Sequence, residues 1–307
     1  MTRLLVKTLL RKKTNFPGKS IFLRAPAKLN LYLNVLNKRK DGYHNLSSVM
    51  QKISLFDFLS LHLNDTGRIR LFCSDIALVN KENSAFRAAE IIKEKYIRGL
   101  GVDIHLRKQI PLGSGLGGAS SDAAAVLLGL NKVCRLELNY HQLMLLGSEI
   151  GSDVNFFILP ESFAEISGRG EKVRPLTSAL SPEYLLILTG EIISTKEIYS
   201  LFKPGLTKYL DNAKLIKYSL ENGDMDLLKS LFFNNLTAVY YAKSGKAERI
   251  FKALSDIEGC RFFLSGSGST AAVLIDSSLI RQRAESAMDK LGVKCLRVKT
   301  CSVGERR

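Results

Sequence analysis

The residues best equipped for chemistry lie in one run, Pro111-Leu112-Gly113-Ser114-Gly115-Leu116-Gly117-Gly118-Ala119-Ser120-Ser121-Asp122, between a predicted strand ending at Ile110 and a predicted apolar helix over residues 123–133. Four glycines let this backbone turn tightly and approach a ligand, and the helix behind them offers free N–H groups and the positive end of its dipole. The run therefore reads as an anion site, with a plain strand-to-helix turn as the simpler alternative. A nucleotide P-loop is excluded because Ala119 and Ser120, not Lys and Ser/Thr, follow Gly118. The dinucleotide fingerprint G-x-G-x-x-G is matched by Gly113, Gly115 and Gly118, with Glu137 near the ribose-binding spacing. That reading is disfavoured: the preceding strand alternates with charges, and no buried second strand leads into Glu137. Elsewhere, Lys28 and Asn30 fall on one face of a predicted strand, where both can touch one ligand. Tyr43 and His44 pair a flat ring bearing a polar tip with an imidazole that, when neutral, donates at one nitrogen and accepts at the other.

These groups need a scaffold of sheets and helices. Apolar alternation over residues 21–35, over residues 68–73 and in Val102, Ile104, Leu106 against Asp103, His105, Arg107 predicts half-buried antiparallel strands with one wet face. Asn83 and Ser84 open a predicted helix over residues 83–96, and Asn139 with Gln142 sets a capping box for another over residues 139–150. Beyond Pro175 the chain restarts with a predicted strand over residues 184–188, helices over residues 211–233 and 247–257, and strands over residues 261–264 and 271–275. The pattern is α+β, without repeats, with a domain boundary near Pro182: a basic leader to residue 20, a first domain over residues 21–181 and a second over residues 182–307.

With 307 residues, 46% apolar and 24% charged, the chain can bury two cores, which excludes simple disorder. No apolar run is long enough to span a bilayer. Five cysteines without a C-x-x-C pair argue against a disulfide framework or structural zinc and suit a reducing compartment, and four scattered histidines predict no transition-metal site. The net charge of +16 is concentrated at the front: residues 1–40 hold 11 Lys/Arg and no Asp or Glu, leaving 34 Lys/Arg against 29 Asp/Glu in the other 267. Such a mildly basic body suits a small anionic ligand better than a nucleic acid. The leader is open to three readings: a flexible arm, a targeting peptide, or an early start.

The loop resembles the phosphate loop of the galactokinase, homoserine kinase, mevalonate kinase and phosphomevalonate kinase superfamily. Two further motifs of that superfamily stand in the same order, Pro26-Ala27-Lys28-Leu29-Asn30 and Leu264-Ser265-Gly266-Ser267-Gly268-Ser269. Within it, Lys38-Arg39-Lys40-Asp41-Gly42-Tyr43-His44 resembles the 4-diphosphocytidyl-2-C-methyl-D-erythritol kinase family, as do Gly151-Ser152-Asp153-Val154-Asn155, Gly168-Arg169-Gly170-Glu171 and Ile193-Ser194-Thr195-Lys196-Glu197-Ile198-Tyr199. Asn155 stands where that family usually has Pro, and Asn235 where it has Asp.

The resemblance implies a two-domain α+β small-molecule kinase fold, with a ribosomal-protein-like N-terminal domain, a ferredoxin-like C-terminal domain and the active site in the cleft between them. It implies transfer of the ATP γ-phosphate to the 2-hydroxyl of 4-diphosphocytidyl-2-C-methyl-D-erythritol in the cytoplasm, with Mg2+ accompanying the nucleotide and no membrane or nucleic-acid partner. Asp153 is then the base and Lys28 its cationic partner. ATP falls to Asn83, Lys108, Pro111, Leu112, Gly113, Ser114, Gly115, Leu116, Gly117, Gly118, Ala119, Ser120 and Ser121, and the substrate to Asn30, Tyr43, His44, Thr195, Gly266, Ser267 and Gly268. One rival of another class is an RNA-binding relative that has lost catalysis; another kinase of the superfamily, acting on a different small alcohol, is the enzymatic one.

Overall fold

A computed structural model describes residues 18–40, 42–192, 194–202 and 212–301, so the leader up to residue 17, Asp41 and Ile193 lie outside it. Strands β1 (Ser20–Lys38) and β2 (His44–Asn64) pair antiparallel along their length, with Lys28 opposite Lys52. β3 (Ile69–Cys73), helix α1 (Ser84–Lys95) and β4 (Gly101–Arg107) follow. β4 is antiparallel to β2, but β3 and β4 are parallel, against the expectation from alternation. The reason is the connection: α1 carries the chain back so that both strands start from the same end. The capping residue Asn83 accepts from Ala85 N, and Ala85, Ala88, Ala89 and Ile92 give α1 its buried stripe.

α2 (Gly118–Val133) starts before the expected residue 123, because the end of the glycine loop already has helical backbone. α3 (Tyr140–Ile150) carries both halves of the Asn139–Gln142 capping box, and α4 (Val154–Ile158), β5 (Phe163–Ser167) and β6 (Lys172–Leu176) complete the first half. β7 (Glu183–Leu188), α5 (Thr195–Leu201), α6 (Asn212–Asn222), α7 (Met225–Ser230), β8 (Phe233–Asn234), α8 (Thr237–Lys243), α9 (Gly245–Ser255), β9 (Phe262–Leu264), β10 (Ala271–Leu274), α10 (Ser278–Lys290) and β11 (Lys294–Lys299) make the second. The single helix expected over residues 211–233 is broken at Gly223, whose φ of +73° ends α6, and Asp224 caps α7.

A seven-stranded sheet runs β3-β4-β2-β1-β8, with β5 on β2 and β6 on β5, and a four-stranded sheet runs β11-β7-β10-β9. One core lies between the first sheet and helices α1 to α4; a second packs Ala27, Leu29 and Leu31 of β1 against Tyr184, Leu186 and Ala272 of the other sheet. Residues 25–35 of β1 are therefore buried on both faces, where alternation predicted one wet face. Tyr184 Oη donates to Gln51 Oε1 at 2.7 Å and Gln51 Nε2 to Thr300 Oγ1 at 2.8 Å, giving this seam hydrogen-bonded partners. No disulfide joins cysteines among the described residues, and no helix among them is long and apolar enough to cross a membrane.

Candidate active site

The glycine loop is pinned to β1 by Lys28 N donating to Leu116 O at 2.9 Å. Gly113, Gly115 and Gly117 have φ of +62°, +75° and +75°, a conformation other residues adopt only at a cost, and Gly117 caps α2 without a side-chain bond. The first N–H groups of α2 thus lack side-chain partners and can receive an anion. Pro111, Leu112 and Gly113 are exposed, whereas Ser114 is buried with its hydroxyl donating to Pro111 O at 2.6 Å.

The second glycine turn, at residues 265–269, packs directly on the first. Thr270 N donates to Ser114 O at 3.2 Å, and Ser265 Oγ to Gly115 O at 3.1 Å. Asn234, next to the departing Asn235, supports this turn by donating Nδ2 to Leu264 O at 2.9 Å and Gly266 O at 2.7 Å. Asn235 Nδ2 donates to Asn34 Oδ1 and Val35 O while its Oδ1 accepts from Val35 N, which holds β8 beside β1.

Lys28 lies between the two turns. A Cβ on Gly117 would meet its Cγ at 3.0 Å, and one on Gly266 its Nζ at 3.2 Å. Its ammonium donates to Asn30 Oδ1 at 2.5 Å, Asn30 Nδ2 donates to Ser48 Oγ at 2.9 Å, and Ser48 Oγ donates to Tyr32 O at 2.5 Å. Burial lowers the Lys28 pKa, and the charge of Asp153 opposes that shift. Asp153 occupies the cap position of α4 without making a cap bond, and among the described residues it makes no ion pair. Its half-buried carboxylate is therefore available to another group.

His44 faces Tyr199 at 6.1 Å and Phe202 at 6.2 Å between ring centroids. Burial first, and the positive charge of Lys38 second, hold its pKa below the usual imidazole value, so it is neutral near pH 7. Burial and the charge of Asp153 raise the Tyr199 phenol, which places Asp153 within electrostatic reach of both Lys28 and the aromatic cluster. Tyr43 is exposed, with the Arg169 guanidinium 5.3 Å over its ring. Thr195 Oγ1 hydrogen-bonds Ser267 Oγ at 2.9 Å, linking the start of α5 to the second turn.

Two expected nucleotide contacts are committed elsewhere. Asn83 accepts from Ala85 N and donates to Leu78 O within its own cap. Lys108 Nζ is buried beneath the loop, donating to Asp57 Oδ2 at 2.5 Å and Asp122 Oδ2 at 2.7 Å. Asp57, Asn234 and Phe202 were not legible as site residues. Tyr199 carried a signal, since it follows Thr195 by one helical turn. No group of three His, Cys, Asp or Glu among the described residues can hold a metal alone.

Residues 83–160 match the model of the GHMP kinases N terminal domain. A 4-diphosphocytidyl-2-C-methyl-D-erythritol kinase of Prochlorococcus marinus (strain MIT 9215) is 35% identical over 287 residues, covering 89% of this chain and 92% of the relative. One of Syntrophotalea carbinolica (strain DSM 2380 / NBRC 103641 / GraBd1) is 36% identical over 276 residues, covering 89% and 96%. A crystal structure of 4-(cytidine 5'-diphospho)-2C-methyl-D-erythritol kinase superposes with a TM-score of 0.76 at 30% identity, covering 92% of this chain and all of that one.

Proposed function

Because the chain belongs to the 4-diphosphocytidyl-2-C-methyl-D-erythritol kinase family, we propose that it transfers the γ-phosphoryl group of ATP to the 2-hydroxyl of 4-diphosphocytidyl-2-C-methyl-D-erythritol, a step of non-mevalonate isoprenoid precursor synthesis. It is an ATP-dependent kinase. The observation that carries the assignment of roles is the convergence of both glycine turns, Lys28 and the field of Asp153 on one place.

Phosphoryl transfer needs positioning and charge stabilisation more than covalent help. The backbone amides of residues 113–120 hold the phosphates. Magnesium accompanying ATP would be held mainly by the nucleotide and water and would supply neutralisation of the triphosphate charge. Asp153 accepts the proton of the attacking tertiary hydroxyl, and Lys28, oriented by Asn30, stabilises charge on the oxygen or the phosphoryl group. Neutral His44 reads the cytosine edge, with Tyr43 and Tyr199 as ring surfaces beside it. Thr195 and residues 266–268 line the opposite wall. Residues 21–181 are the nucleotide-binding half and residues 182–307 the second, and five cysteines without a disulfide among the described residues suit a cytoplasmic setting.

The test is incubation with ATP, magnesium and the cytidine compound, following ADP release and a substrate mass increased by one phosphate. Refusal of this compound with turnover of homoserine or mevalonate would move the protein to another substrate.

A further inference from the structure

Beneath the phosphate loop lies a buried cluster with unequal charges. Lys108 Nζ sits between Asp57 Oδ2 and Asp122 Oδ2, and the three side chains are 9%, 0% and 4% exposed. Two carboxylates against one ammonium leave one negative charge if all are ionised. The two acids differ in their remaining partners. Asp57 Oδ1 accepts from Gln109 N at 2.5 Å and Ile110 N at 2.9 Å, so its charge is fully hydrogen-bonded. Asp122 Oδ1 is buried with no hydrogen-bond partner. An unpartnered carboxylate oxygen out of water is costly, so Asp122 is the member of the pair that gains most by holding a proton.

The cluster touches the loop itself: Lys108 Nζ lies 3.1 Å from where a Cβ on Gly118 would sit, and Asp122 lies on α2, the helix whose N-terminus receives phosphate. The charged groups acting on Asp122 are Lys108, from the segment after β4, and Asp57 on β2. β1, α1, α3 and α4 also border α2, but among the described residues none brings a charge to bear on it. On β1, Lys28 turns to Asn30; on α1, Arg87 donates to the carbonyls of Glu149 and Ile150.

We propose that Asp122 is a positioning residue for the nucleotide whose ionisation opposes ATP binding, so that ATP binds the form with Asp122 protonated and the enzyme takes up a proton as it binds. The inference rests on ATP occupying the glycine loop, as assigned above. Its physical basis is linkage: the triphosphate brings several negative charges close to a group that loses its own negative charge on protonation, so each favours the other. Burial, then the neighbouring Asp57 carboxylate, outweigh the pull of Lys108 and raise the Asp122 pKa to about 7 in the free enzyme, within the range where the effect can be read.

The test is calorimetric titration of the wild-type enzyme with ATP and magnesium at pH 8, in two buffers of different ionisation enthalpy. At that pH the terminal phosphate is already ionised, so proton uptake belongs to the protein. The expected result is net uptake, with the ATP Kd flat below about pH 6 and rising up to tenfold per pH unit above about pH 7. In Asp122→Asn the uptake disappears and the Kd rise is flattened, while kcat of the wild-type and variant enzymes keeps the same dependence on pH. ATP binding without proton uptake at pH 8, or an equal pH slope in Asp122→Asn, overturns the proposal. Absence of ATP binding at every pH would instead overturn the assignment of the loop to ATP. The uptake measurement needs no variant, so a poorly folding Asp122→Asn leaves the proposal open to refutation.

Discussion

The carbonyl oxygen of Ser265 lies 2.2 Å from the position a Cβ on Gly115 would take, so the two glycine turns meet at a point where only hydrogen fits. Gly115 also has φ of +75°, which adds a backbone cost for any other residue. Gly115→Ala is expected to force the turns apart. Stability should fall by more than the roughly 1 kcal/mol of the backbone term alone, and ATP affinity should fall with it. Thermal unfolding and nucleotide titration check both; an unchanged Tm would show that the contact relaxes freely.

Asp153 has no cap bond, so its substitution leaves the start of α4 intact and acts through the reacting hydroxyl and through Lys28, whose charge it supports. Asp153→Asn is expected to lower kcat by at least about a hundredfold while ATP Kd stays within about twofold. Near-normal turnover would take Asp153 out of the base role.

His44 is neutral near pH 7 because burial and Lys38 depress its pKa. His44→Ala should raise KM for the cytidine compound about tenfold, the worth of one good hydrogen bond, with KM for ATP unchanged. In the wild type, protonation removes the acceptor nitrogen, so the same KM should climb as pH falls below the ordinary imidazole range, and this climb should be absent in the variant. A pH-independent wild-type KM would remove His44 from base recognition.

Lys108 holds two buried carboxylates together, so Lys108→Met leaves them uncompensated. The variant should lose about 3 kcal/mol or more in urea unfolding. Since Asp122 is raised to about 7 in the fold, it binds protons there that the unfolded chain has released; its contribution to stability is present at low pH and lost as pH rises through 7. Removal of Lys108 should raise the Asp122 pKa further and extend that loss to higher pH. Equal stability of the two proteins at pH 8 would contradict this account of the cluster.

Asn235 replaces the family's Asp and uses its amide as a donor to Asn34 Oδ1 and Val35 O. Asn235→Asp removes both donations and sets a charge against two acceptors. A loss of about 1–3 kcal/mol is expected, read as a lower urea midpoint, with the reaction unchanged in kind. No loss would mean that β8 is held beside β1 by its other contacts.

Local chemistry along the chain determined a good part of this protein. The run from Pro111 to Ser121, the caps at Asn83 and Asn139, and the strands of residues 101–107 and 183–188 are readable because each depends on neighbours within a turn or two. The order of the three motifs similarly pointed to a kinase. What tertiary structure decided are the relationships across long separations. Lys108 became the centre of a buried cluster because β2 brings Asp57, 51 positions away, beneath the loop. β3 and β4 became parallel because α1 returns the chain, and β1 lost its wet face because a second sheet, built after residue 182, closes over it. Tyr199 and Phe202 met His44 from the other half of the chain. Periodicity reports the side of an element on which a residue lies; which group meets it there depends on packing between segments distant in sequence, which a local window does not contain.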